Sequence, residues 1–136
     1  MNKEYSISSD KSRLDLDLIH DYLCNRSYWA RGRSLDEVRL TIDNSMCFGL
    51  YDNINRMHGF ARVVTDHVTF AYLMDVFILE QHRGKGLGTM LVEHALAHPV
   101  LQVRFWLLKT EDAHGLYEKL GFKKLNYTDW FMERIT

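Results

Sequence analysis

Residues 72–88, YLMDVFILEQHRGKGLG, constrain this chain more than any other stretch. An apolar strand runs into a short polar bend, and Gly84, Gly86 and Gly88 then open a helix. That order brings backbone N–H groups together at the positive end of a helix, where an anionic phosphate is favoured. Two familiar nucleotide loops are excluded by spacing. G-x-x-x-x-G-K-[ST] is absent, and the glycines run G-x-G-x-G rather than G-x-G-x-x-G, with no acidic ribose ligand identifiable at the expected distance. The alternative is a purely structural turn. Against it stand three glycines that permit close backbone approach, the positive charge of Arg83 and Lys85, and a helical stripe directly downstream.

The rest of the chain supplies what surrounds this cradle. A short strand at 5–8 precedes a helical stripe on Leu14, Leu18, Ile19, Tyr22 and Leu23, running towards Arg26 and capped by Asp10 or Ser12. Ser34 to Glu37 has the S-x-x-E spacing of a capping box and starts a helix reaching about Asn44. The period then changes. Strands at 46–51, 57–65 and 69–79 are joined by short links into an antiparallel meander. A helix follows the glycines to His98-Pro99, then a β-rich run at 100–108 and a two-turn helix at 113–120, with Gly121 as its left-handed cap. Two strands, 122–125 and 130–135, complete an α/β order with a mixed central sheet.

The 136 residues fit one domain, 1–136, with no linker, repeat or low-complexity tract. Lys and Arg number 17 against 18 Asp and Glu, so there is no basic footprint for nucleic acid or an anionic membrane. The N-terminal residues lack the apolar core of a signal peptide, and no segment approaches a membrane span. Cys24 and Cys47 have no CxxC or framework spacing and read as reduced thiols of a cytoplasmic protein. His94 and His98 lie one helical turn apart, but the order is not H-E-x-x-H and no third ligand is apparent, so no metal is expected.

Two segments resemble the GNAT-type acyl-CoA N-acyltransferases. Arg83-x-x-Gly86-x-Gly88 fits the family's [QR]-x-x-G-x-[GA] signature, and Gln81-x-x-Gly84-x-Gly86 fits it in the neighbouring frame. Thr110 to Phe122, TEDAHGLYEKLGF, looks like the family's "NA..LYEKLGF" segment, with Asp112 where many members carry asparagine. Asp112 as a plain helix N-cap is the structural alternative. The resemblance implies a mixed, mostly antiparallel central sheet flanked by helices, with strands four and five splayed to admit acetyl-CoA. By position, the backbone of Val76, Phe77 and Ile78 would pair with pantetheine. Amides of Arg83, Gly84, Lys85, Gly86, Leu87, Gly88 and Thr89 would hold the pyrophosphate, with Asp112 beside the pantetheine arm.

The implied reaction is direct acetyl transfer to a primary amine of a small molecule in a ternary complex. It needs a neutral amine, a donor for the oxyanion and a proton for the departing thiolate. Tyr117 matches the family's general acid, and core packing is its structural alternative. Asp75 is the favoured base, with Glu111, Asp112 or a water chain as rivals; strand alternation puts it on one face with Leu73, Phe77 and Leu79, where it could equally be a structural carboxylate. The acceptor is expected between the first helices and the last strands. Trp29 and Trp130 would wall it, and Arg31 or Arg33 would grip an anionic group, the alternative being an ordinary solvated loop. Rival functions are a non-catalytic acyl-CoA-binding module and an acetyltransferase acting on a protein or peptide amine. Oligomeric state is left open between monomer and homodimer.

Overall fold

The computed structural model describes residues 4–136. Strand β1 (Tyr5–Ser8) leads to helices α1 (Leu16–Asp21) and α2 (Leu35–Asp43). The meander β2 (Met46–Asp52), β3 (Met57–Thr65) and β4 (Ala71–Ile78) follows. Then come α3 (Leu87–Ala97), β5 (Trp106–Leu108) and α4 (His114–Glu118). The strands stand in chain order in one five-stranded sheet, antiparallel throughout except for the parallel pair β4–β5.

Helix α2 begins as its sequence requires. Ser34 Oγ accepts from the Glu37 N–H at 3.1 Å, and the Glu37 carboxylate accepts from the Ser34 N–H at 3.0 Å. The first helical stripe divides into three pieces. Asp10 caps a 3₁₀ turn at Lys11–Arg13, whereas Asp15 caps α1 through the Leu18 N–H, so neither Asp10 nor Ser12 is the cap of α1. Past Asp21 the coil widens into a π-helical turn, Tyr22–Arg26, closed by Ser27 N–H to the Tyr22 carbonyl at 2.9 Å. The buried Ser27 then donates to the Leu23 carbonyl at 2.7 Å and accepts from the Ala30 N–H at 3.0 Å. Those bonds set the exit direction of the loop that follows.

Two apolar layers sandwich the sheet. On one face Ile19, Leu23, Val38 and Ile42 pack on Cys47, Tyr51, Phe60 and Phe77. On the other Leu87, Leu91, Val92 and Ala95 of α3 pack on Phe48, Leu50, Val63 and Leu73. Burial of this apolar surface is the main stabilising contribution.

Leu73 and Phe77 therefore face opposite layers, although strict alternation would put them on one face. A β-bulge is the cause. The ladder steps from Phe60–Phe77 to Arg62–Met74, so Asp75 and Val76 stand against Ala61 alone, and Asp75 takes a left-handed φ of 55°. Asp75 thus keeps company with Phe77 and Leu79, and not with Leu73.

Strand β5 pairs for only three residues, ending at Leu73–Leu108. Beyond Leu73 the β5-facing edge of β4 has no strand partner, which is the expected splay. The β-rich run at 100–108 contributes only those three strand residues, because a 3₁₀ turn occupies Pro99–Leu101. The strands expected at 122–125 and 130–135 do not form. After Gly121, whose φ is 94°, the chain holds only a 3₁₀ turn at Thr128–Trp130.

Candidate active site

Two cavities flank the splayed half of β4. One, about 550 Å³, runs from Val76, Phe77 and Ile78 past the glycine loop to Leu116 and Tyr117. Gly84 and Gly86 have φ of 80° and 75°, and nothing lies within 4 Å of a Cβ built on either. Glycine is required there by backbone conformation and not by crowding. Gly86 caps α3, and the N–H groups of Lys85 to Thr89 find no acceptor among the described residues. Five consecutive free donors stand at the start of an 11-residue helix, an arrangement of main chain that suits an anion.

The two cations of the loop have other tasks. Arg83 donates through Nε to the Ile78 carbonyl at 3.0 Å and through Nη2 to the Tyr22 hydroxyl at 2.5 Å, while Tyr22 stacks on Phe77 at 4.0 Å. Lys85, which does not line the cavity, donates to the Tyr5 hydroxyl at 3.1 Å, and that hydroxyl also bonds His82 Nδ1 at 2.9 Å. His82 stacks on His58 at 3.7 Å, and burial, then the nearby His58 and Lys85, hold its imidazole below the ordinary value. The loop is thereby pinned to β1 and β3 from behind.

The second cavity, about 570 Å³, opens on the other side of the bulge. Tyr28, Trp29 and Arg33 wall it from the loop between α1 and α2, and Thr110, Glu111 and Asp112 from the loop before α4. The Tyr28 hydroxyl accepts from the Glu111 N–H at 3.0 Å, joining the two loops. Tyr28, Trp29, Val76, Asp112, Ala113 and Tyr117 border both cavities.

Tyr117 packs edge-on against Phe122 at 5.9 Å, and its hydroxyl has no hydrogen-bond partner among the described residues. Burial first, then Tyr28 and Asp112, push the phenol up to about 12. Asp112 does not cap α4. The N-cap position is Ala113, whose N–H is taken by Thr110 Oγ1 at 3.1 Å, so the Asp112 carboxylate is left exposed at the junction.

Asp75 is enclosed. Its side chain is 1% exposed and accepts from Trp29 Nε1 at 2.9 Å, Arg33 Nη1 at 2.7 Å and Arg62 Nε at 2.8 Å. Arg31 and Trp130 border neither cavity. Arg31 is exposed on the loop, and Trp130, 75% exposed, stacks on Tyr127 at 4.2 Å. Tyr28 and Arg62 are the site residues that sequence reasoning missed. A tyrosine beside Trp29 carries no spacing signal, and Arg62 resembles any strand residue until the bulge brings the Asp75 carboxylate within 2.8 Å of its Nε. His94 and His98 both lie edge-on to Phe48, and no three-residue group able to hold a metal occurs among the described residues.

An N-terminal two-helix layer, a meander ending in a bulged strand, a glycine-loop helix and a parted β4–β5 pair define a class of acyl-transfer folds. The model of the Acetyltransferase (GNAT) domain matches residues 43–124. A Gibberella zeae protein assigned as an acetyltransferase is 32% identical over 142 residues, spanning 88% of this chain and 80% of that protein. A crystal structure from Xanthomonas campestris pv. campestris, assigned to the GNAT family as an acetyltransferase, superposes with a TM-score of 0.93 at 44% identity, over 97% of this chain and 93% of that one. Glucosamine-6-phosphate N-acetyltransferase from Arabidopsis thaliana, at 17% identity and a TM-score of 0.64 over 96% of this chain and 97% of that one, shares the fold. The chain belongs to the GNAT family of acetyltransferases.

Proposed function

We propose that this N-acetyltransferase moves an acetyl group from acetyl-CoA to a primary amine of a small molecule by direct attack in a ternary complex. The observation that carries the reading is the meeting of two cavities at one unpartnered hydroxyl, that of Tyr117. The residues suit the donor. The free N–H groups of Lys85 to Thr89 would hold a pyrophosphate, and the bare edge of Val76, Phe77 and Ile78 would pair with an extended amide-bearing arm. Acetyl-CoA supplies an activated acyl thioester.

Around the reacting centre, a backbone N–H near Phe77 or Ile78 would donate to a developing oxyanion. Tyr117 stays protonated across the working range. Complete proton transfer from a phenol at about 12 to a thiolate whose acid lies near 8.5 is uphill by roughly 5 kcal/mol. Tyr117 therefore stabilises a departing sulfur first by donating a hydrogen bond, and gives up its proton as the amine's proton returns to it through solvent. Asp75 is a poor base here because three donors occupy a carboxylate with almost no access. Asp112, exposed and bordering both cavities, is better placed to take the amine proton directly or through water. Trp29, Tyr28 and Arg33 form the acceptor wall. Arg33 uses one nitrogen on Asp75, and its others could grip an anionic group on the acceptor.

The whole chain serves as one such domain. Among the described residues no helix is long and apolar enough to cross a membrane, and the two cysteines are free, which suits the cytoplasm. The test is free-thiol release from acetyl-CoA across a panel of amino acid amides, polyamines, amino sugars, aminoglycosides and peptide N-termini, for the wild type and Tyr117→Phe. We expect one small-molecule class to stand out, with Tyr117→Phe keeping acetyl-CoA affinity and losing about 10²-fold or more in kcat. Tight acetyl-CoA binding with no release from any amine would instead make the chain a binding module.

A further inference from the structure

We propose that Asp75 is a positioning residue: its carboxylate fastens the loop between α1 and α2 to the bulge of β4, so that the acceptor wall and the donor strand move as one body. For its kinetic part this rests on the N-acetyltransferase reading above. The bonds to Asp75 come from two directions. Trp29 Nε1 and Arg33 Nη1 reach it from the loop at 2.9 and 2.7 Å, and Arg62 Nε reaches it from β3 at 2.8 Å. Arg62 is itself held, donating to Ser45 Oγ at 3.0 Å and to Met74 Sδ at 3.5 Å. One carboxylate thus joins the loop, β3 and β4.

The backbone gives the same answer. Asp75 carries a left-handed φ of 55° within the strand, a conformation that aspartate tolerates better than most side chains. The bulge turns its carboxylate to the loop side of the sheet at the point where β4 loses β5 as a neighbour. The loop's own backbone bonds are local: Gly32 N–H to the Cys24 carbonyl at 3.2 Å and Arg33 N–H to the Ala30 carbonyl at 3.1 Å. Its hydrogen bonds to the sheet run through Asp75. Freed from it, Trp29 and Arg33 would no longer hold a fixed acceptor wall against the strand that carries the thioester.

The latch can be cut from either end. Asp75→Asn keeps size and tolerates the left-handed backbone, but it leaves the buried Arg62 without a counter-ion and could cost the fold. Trp29→Phe/Arg33→Gln cuts the loop end and leaves the Asp75–Arg62 pair intact. Two readouts are paired. The first is trypsin cleavage after the exposed Arg31 in folded protein, which needs no substrate. The second is steady-state kinetics with the best amine of the panel above, together with the acetyl-CoA Kd and the pH profile.

The latch predicts that the loop-end variant is cleaved on the order of 10-fold faster at nearly unchanged Tm. Acceptor KM should rise on the order of 10-fold, and by more than acetyl-CoA Kd, which Trp29 also touches because it borders both cavities. Asp75→Asn should raise KM similarly and keep the acid limb of the pH profile, and adding it to the loop-end variant should change KM no further. Unchanged cleavage in the loop-end variant overturns the latch, even if no acceptor is ever found. So does an Asp75→Asn enzyme with normal acceptor KM and a lost acid limb, which would make Asp75 the base. Additive KM effects also overturn it, since they would mean that Arg33 and Trp29 act on the acceptor independently of Asp75. Failure of the wild type to release thiol with any amine counts only against the N-acetyltransferase reading.

Discussion

Tyr117 shows how position and environment divide the work of one side chain. The motif put a phenol where an acid is needed, and burial on α4 determines its charge state. A folded phenol near 12 against about 10 in the unfolded chain favours the neutral form. The stability tied to that form is fully present below about pH 10 and is lost as pH rises through 12. The Tm of the wild type should therefore fall relative to Tyr117→Phe as pH climbs past about 10, measured by thermal melts of both proteins in matched buffers. Below that range the difference between them should be flat. A difference that grows as pH falls from 9 to 6 would place the titrating group elsewhere. For turnover, the same shift means that any loss of rate between about pH 8 and pH 10 belongs to another group.

At the scale of elements, the glycine loop makes a sharp prediction. A β-carbon at Gly86 meets no neighbour, so Gly86→Ala should fold, but its φ of 75° costs a non-glycine residue about 1–2 kcal/mol. If the loop relaxes to escape that cost, its N–H groups turn away from the anion. Acetyl-CoA should then bind roughly 10-fold more weakly by calorimetry, with the acceptor KM little changed. The elements also show what a sequence carries. The capping box at Ser34–Glu37 and the meander depend on local chemistry, and both stand where the periodicities put them. The glycine loop stands there too, because φ above zero leaves its mark in composition. The bulge does not. Asp75 takes a left-handed φ without a glycine to announce it, so alternation counted through it gave the wrong company for Leu73. The tail strands failed for a different reason. Residues 130–135 have strand-like composition, but a strand needs a partner edge, and β5, which ends the sheet, is only three residues long. Trp130 went with them, and so did its expected place on the acceptor wall.

The molecule as a whole separates rigid from dispensable parts. Two buried layers and three antiparallel pairings hold β1 to β4, while Tyr127, Trp130, Met132 and Ile135 remain 57, 75, 98 and 84% exposed. Removing residues 126–136 takes away little buried apolar area. The shortened chain should melt within a few degrees of the full one, and it should bind acetyl-CoA as well, since no residue of that tail borders either cavity. A collapse of the melting transition would show that the tail packs in solution. For direct transfer between adjoining cavities, as proposed, initial rates against both substrates should give intersecting rather than parallel double-reciprocal lines.

The cradle at the head of α3 is written in main chain, and this sets how the site can change over generations. Every residue type except proline carries the same N–H, so the side chain at Thr89 can drift without altering the donors that would hold a pyrophosphate. Gly84 and Gly86 have no such freedom, because their φ admits few alternatives. The proposed acceptor wall is the reverse case: Trp29, Tyr28 and Arg33 would act through side chains, each open to single-codon replacement. Such a molecule can hold its acyl donor constant while new amine acceptors are explored one substitution at a time.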